Sequence, residues 1–147
     1  MKILIAEDNK NKLISILSTI EKVGIYDEDI DVVATPSEAI LFIRKKHFDF
    51  FILDMSLPTY INESHSINSL SGKKILQTMK HKKISIPTIV LTQWDVFGHH
   101  DEALPLDKLS SDLLKEFEGT LHNVILWDPS DTKWEQEIFD FIGKNKE

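Results

Sequence analysis

An α/β protein built on a doubly wound, five-stranded parallel sheet with five helices is predicted by three features of this sequence. Short apolar runs recur along the chain, helical patterns with a single apolar stripe lie between them, and the two kinds alternate five times. Ile3–Ala6 is bounded by charge and is continuously apolar, which suits a strand buried on both faces. Similar runs stand at 50–53, 86–91 and 124–127, and a weaker one at 30–34 suits an edge strand. Leu13, Ile16, Leu17 and Ile20 repeat at helix spacing, with Gly24 as a stop. Thr35, Pro36, Ser37 and Glu38 form a capping-box sequence with proline at the first helical position, leading into Ala39, Ile40 and Ile43. Three further stripes are expected over 72–80, 107–118 and 132–142, the first weakened at its start by Gly72. The stretches 59–71 and 93–105 read as long polar connections, which in a compact domain are usually functional or mobile.

Composition narrows the function. The 147 residues are 41% apolar, enough for one core, so residues 1–147 are expected to form a single domain with no attached output domain. With 24 acidic residues against 17 basic ones the net charge is -7, and nucleic acid is not an expected partner. The one basic cluster, Lys80, His81, Lys82 and Lys83, lacks interleaved aromatics and reads as the polar end of a helix. Cysteine is absent, which removes disulfides, thiolate metal sites and cysteine nucleophiles. No leader-like segment and no run of the ~20 apolar residues a membrane span needs is present, so a soluble cytoplasmic protein without membrane contact is expected.

Chemistry in an open parallel sheet gathers beyond the carboxyl ends of the strands. Here those ends carry Glu7 and Asp8, Asp54, Thr92, and Asp128 with Pro129. If the first and third strands are neighbours, Glu7, Asp8 and Asp54 share a pocket whose mutual repulsion calls for a hard divalent cation, Mg²⁺ above all. Local explanations stand beside this one. Asp8 is placed to cap the following helix, and Thr92 alone would be an ordinary β-branched strand residue.

In their order and spacing, four segments resemble the receiver domains of bacterial two-component response regulators. They are the Ile-Leu-Ile-Ala-Glu-Asp-Asn run beginning at Ile3, the Ala-Thr-Pro-Ser-Glu-Ala run beginning at Ala34, the stretch from Phe48 through Asp54 to Pro58, and the Ile-Pro-Thr-Ile-Val-Leu-Thr run ending at Thr92. The resemblance implies a flavodoxin-like (βα)5 fold of strand order 2-1-3-4-5. It also implies a phosphoacceptor at Asp54, metal-binding acids at Glu7 and Asp8, a third protein ligand in the Ser56 carbonyl, and a switch hydroxyl at Thr92. A sensor histidine kinase or phosphotransfer protein would supply the phosphoryl group, and an unspecified protein target would read it. Neither that target nor the oligomeric state is legible in these residues.

Departures from the pattern fall around the coupling machinery. The family usually carries a lysine just before a proline after the fifth strand, and here Asp128 precedes Pro129. Its aromatic switch position falls on Ile125, and the stretches after Pro58 and after Thr92 are longer than usual. A carboxylate near a phosphoryl group repels it, so Asp128 is expected to point away or to bind something else, the local explanation being a turn with Pro129 and Ser130 before the last helix. His99, His100 and Asp101 read as a solvated loop rather than a transition-metal site. Trp134 reads as core, sharing a stripe with Ile138 and Phe141, and Trp127 as core or partner surface. The signalling receiver competes with two other readings, a receiver-like module that only binds partners and a metal-dependent hydrolase. The hydrolase is disfavoured because Ser56 stands where aspartyl-nucleophile phosphatases carry a second acid.

Overall fold

The computed structural model describes residues 1–58, 70–94, 96, 97 and 104–145. In chain order its elements are β1 (Ile3–Ala6), α1 (Lys10–Glu21), β2 (Ile30–Val33), α2 (Pro36–Lys45), β3 (Phe50–Leu53), α3 (Ser71–Lys82), β4 (Thr88–Thr92), β5 (Val96–Phe97), β6 (Leu104–Pro105), α4 (Leu106–Glu116), β7 (Leu121–Leu126) and α5 (Lys133–Asn145). The main sheet has five parallel strands in the order β2-β1-β3-β4-β7. Setting aside the small pair β5 and β6, this is the expected order 2-1-3-4-5.

Alternation of side chains along each strand sends neighbours to opposite faces of the sheet. Phe50 thus joins Ile3, Ile5, Ile16, Ile20, Ile138 and the other residues of the α1 and α5 side, where its ring meets that of Phe141 edge-on at 5.4 Å. Phe51 joins Leu4, Leu53, Ile75, Leu113 and the α2, α3 and α4 side. Trp134 is buried with Ile138 and Phe141, as its stripe predicts. Trp127 is half-buried and donates its indole N–H to Ser15 Oγ at 3.1 Å. The capping box of α2 forms: the Glu38 amide donates to Thr35 Oγ1 at 3.3 Å, while Glu38 Oε1 accepts from the Ala34 amide at 3.2 Å. The basic cluster closes α3, where Lys80 Nζ reaches the Glu116 carbonyl at 3.0 Å.

Element ends differ from the sequence expectation by a few residues, and three of the differences have a physical reason. The last strand begins at Leu121 rather than 124, because an edge strand exposes one face and its first half carries polar His122 and Asn123. The fourth begins at Thr88, after Pro87, which has no amide to give and whose carbonyl instead accepts from the Phe51 amide at 2.9 Å. Within 93–105, β5 and β6 pair antiparallel, so this stretch is not wholly a loop. His99, His100 and Asp101 lie outside the described residues, as do residues 59–69.

Gly72 does not delay α3, which begins one residue before it, at Ser71. Its amide donates to the Met55 carbonyl at 2.8 Å, and a Cβ at this position would stand 2.8 Å from the Asp54 carbonyl oxygen and 2.9 Å from Met55 Cα. Ser71 Oγ adds a bond from the Leu57 amide at 2.7 Å. Glycine is therefore what lets α3 clamp the segment following β3. Gly72→Ala is expected to cost about 1–3 kcal/mol, as overpacking against backbone does, measured as a lowered urea midpoint with unchanged slope. An unchanged midpoint would show that the clamp yields freely.

Candidate functional site

Parallel pairing of β1 with β3 in the register Ala6 to Leu53 brings the residues after each strand to one edge of the sheet. Glu7, Asp8 and Asp54 each offer a carboxylate oxygen there, all within 4.8 Å of one another. Glu7 and Asp54 are buried and Asp8 is half-buried. The cap of α1 is Asn9, whose side chain accepts from the Lys12 amide at 3.1 Å, so the capping role that the sequence offered to Asp8 belongs to its neighbour. Ser56 lies buried beside Asp54 and its amide donates to the Asp54 carboxylate.

Sequence reasoning missed a fourth member. Lys12 is fully buried, at 0% exposure, and its Nζ lies 2.6 Å from Glu7 Oε1 and 3.3 Å from Asp54 Oδ1. It also donates to the Leu91 carbonyl on β4. A lysine in the first turn of a helix ordinarily reads as solvated. The signal that marks this one is its spacing: Lys12 precedes Ile16 and Ile20 by four and eight residues, on the stripe that faces the sheet. Helical side chains lean toward the N-terminus, which carries the Lys12 stem back over the first turn to the strand ends.

Thr92 closes β4 fully buried, with its Oγ1 accepting from the Trp94 amide at 3.2 Å and its carbonyl from the Trp127 amide at 2.7 Å. The register of Leu53 with Val90 places Thr92 on the same sheet edge as Asp54. Asp128 is committed elsewhere: its Oδ1 accepts from the Ser130 amide at 2.9 Å and from Ser130 Oγ at 2.7 Å, and these bonds hold its carboxyl below the ordinary value. This is the turn expected from Asp128, Pro129 and Ser130.

Burial pushes Glu7 up to about 7, aided by the Asp54 charge and opposed by Lys12. Asp54 is also raised, by burial first, against the Lys12 charge and the Ser56 amide. A raised carboxyl value means that the folded protein keeps a proton which the unfolded chain has released. For Glu7 the resulting stability is full below its ordinary 4.5 and is lost as pH rises through about 7. The resolved downward shifts, at Asp49 and Asp128, act below 3.8 and leave that window clear. In chelator, urea denaturation is expected to show a loss of about 2–3 kcal/mol between pH 5 and 8, at about 1.4 kcal/mol per pKa unit. A Glu7→Gln protein should lack the share that belongs to Glu7, Asp54 being raised in the same direction, and a wild type whose stability rises over this range would contradict the burial account.

No family profile matches the chain. The Detocs response regulatory protein DtcB of Enterobacter cloacae (strain JD6301) is 28% identical over 148 residues, covering 97% of this chain and 98% of that one. Among solved structures, the receiver domain of the Francisella response regulator 1452 superposes with a TM-score of 0.65 at 18% identity, covering 99% of this chain and 96% of that one. This is the receiver-domain fold. The response regulator TrrA of Thermotoga maritima, solved in complex with Mg²⁺ and BeF, shares it with a TM-score of 0.63 at 19% identity, covering 96% of this chain and 99% of that one. On this receiver fold the acidic cluster of Glu7, Asp8 and Asp54 occupies the carboxyl edge of the central strands, β1 and β3. Among the described residues no helix is long and apolar enough to cross a membrane.

Proposed function

We propose that this chain is a signalling receiver that takes a phosphoryl group on Asp54 in a Mg²⁺-dependent reaction and passes the signal on by docking to another protein. The observation that carries the reading is the Asp54 carboxylate itself. It is buried at the end of a central strand, grouped with two further acids, and its Oδ1 is paired with Lys12 Nζ only at the longer distance of 3.3 Å. The likeness to DtcB, a response regulatory protein, and to TrrA, which is seen with Mg²⁺ and BeF, supports the same chemistry.

Glu7, Asp8 and Asp54, with the Ser56 carbonyl, are the oxygen donors that would hold Mg²⁺, an ion that favours hard oxygen ligands. The ion would supply positive charge between the carboxylate and the incoming phosphoryl oxygens. Asp54 is the nucleophile: a carboxylate oxygen forms the bond to phosphorus as the donor's phosphorus–oxygen or phosphorus–nitrogen bond breaks, and the leaving group takes the electron pair. Thr92 is the switch hydroxyl. Turning to donate to the phosphoryl group would release the Trp94 amide and carry the event into the segment after β4. The donor is a sensor histidine kinase or a phosphotransfer protein in the cytoplasm, and the reader is a protein target.

A partner-binding module without phosphorylation is favoured by one observation, the ion pairing of Lys12 with Glu7 and Asp54 inside the pocket. Incubation with acetyl phosphate and Mg²⁺, followed by intact-mass measurement, separates the two. One added phosphoryl group is expected, and an unchanged mass would leave the binding module.

A further inference from the structure

We infer that Lys12 supplies the cationic contact to the phosphoryl group that Asp128 cannot supply, so that the phosphoryl-binding lysine of this receiver comes from the first turn of α1. The inference rests on the reading of Asp54 as phosphoacceptor. Lys12 Nζ stands where three strand ends meet: it touches Glu7 after β1, Asp54 after β3 and the Leu91 carbonyl within β4. An ammonium has three donors. Two are used closely, on Glu7 at 2.6 Å and on the Leu91 carbonyl, whereas the contact with Asp54 Oδ1 is longer, at 3.3 Å. The third donor thus has its longest contact at the oxygen edge where a phosphoryl group on Asp54 would be attached, and it can shorten to that group when it arrives.

Asp128, which stands where the family's lysine is expected, does not take this role. Asp128 is closed into its turn by Ser130, and a carboxylate would in any case repel phosphoryl oxygens. Burying Lys12 completely is costly unless the charge is paired and hydrogen-bonded, and a purely structural cation would not need to leave Asp54 half-satisfied. During transfer from acetyl phosphate, an Asp54 oxygen bonds to phosphorus, the bond between phosphorus and the acetate oxygen breaks, and acetate leaves with the electron pair. Lys12 donates a hydrogen bond to a phosphoryl oxygen throughout and exchanges no proton.

Because Lys12 also neutralises the acids offered to Mg²⁺, its removal should move two measurements in opposite directions. Lys12→Met keeps the stem and deletes the charge. The variant is expected to gain phosphoryl mass from acetyl phosphate about a hundredfold more slowly, the scale of losing one aimed donor, while calorimetry shows Mg²⁺ bound several-fold more tightly. General loosening of the pocket would weaken both. A variant phosphorylated at the wild-type rate, or one that loses Mg²⁺ affinity together with rate, overturns the assignment. Should Lys12→Met not fold, the wild type decides: in protein labelled with ¹⁵N at lysine Nζ, a slowly exchanging buried ammonium signal should shift when Mg²⁺ and trifluoroberyllate, a phosphoryl mimic, are added together. An unmoved signal in protein that has bound the mimic overturns the inference alone. Wild type that takes neither mimic nor phosphoryl group overturns the function and the inference together.

Discussion

Asp54→Asn is expected to abolish the phosphoryl adduct altogether, the largest change any single substitution in this protein should produce. An amide nitrogen cannot attack phosphorus in place of the carboxylate, and the other acids of the pocket are differently engaged. Glu7 takes Lys12 on one oxygen and the Asn9 amide, at 3.1 Å, on the other. The same change removes one of two buried like charges, whose proximity helps push Glu7 upward. The variant should therefore be at least as stable as wild type above pH 7, which separates loss of the nucleophile from loss of the fold. The readout is intact mass after acetyl phosphate, together with a urea midpoint. An adduct that survives in Asp54→Asn would move the acceptor elsewhere.

Mg²⁺ is expected to raise the melting temperature of the wild type and to leave Asp8→Asn unmoved. The pocket brings three carboxylates together against one lysine and so remains acidic. A ligand that binds the native state alone stabilises it by about 2.7 kcal/mol at a hundred times its dissociation constant, or several degrees for a domain of this size. Asp8 is the acid to remove because it is half-buried, whereas Glu7 and Asp54 hold Lys12. Thermal unfolding with and without millimolar Mg²⁺ checks it. Equal rises in both proteins would place the ion away from Asp8, and no rise in the wild type would remove the metal site.

The central strands were the most legible part of the fold, because burial on both faces leaves continuous apolar runs such as Ile3–Ala6 and Phe50–Leu53. The edge strand β7 was half hidden, since His122 and Asn123 interrupt the apolar pattern where one face meets solvent. The acids of the site were legible for a related reason: a parallel sheet sends every strand's carboxyl end to one edge, so Glu7, Asp8, Asp54 and Thr92 fall on that edge, and the three acids meet once β1 and β3 are neighbours, as the strand order implied by the resemblance has them. Lys12 was not. Its position in the first turn of a helix suggests solvent, and only the tilt of helical side chains back over the N-terminus carries it into the pocket. The expected lysine was sought after the last strand, where Asp128 makes a turn with Ser130. In this protein the buried positive charge of the pocket is Lys12, in the first turn of α1.

Locating the phosphoryl group tests the central claim most directly. Wild-type protein treated with acetyl phosphate should be digested under acidic conditions, which preserve an acyl phosphate, and the peptide spanning β3 and Asp54 weighed with and without Mg²⁺. The account predicts one phosphoryl group on Asp54, present only with Mg²⁺ and removed by brief exposure to alkali. A phosphoryl group on any other residue, or none on this peptide at saturating donor and Mg²⁺, would contradict it.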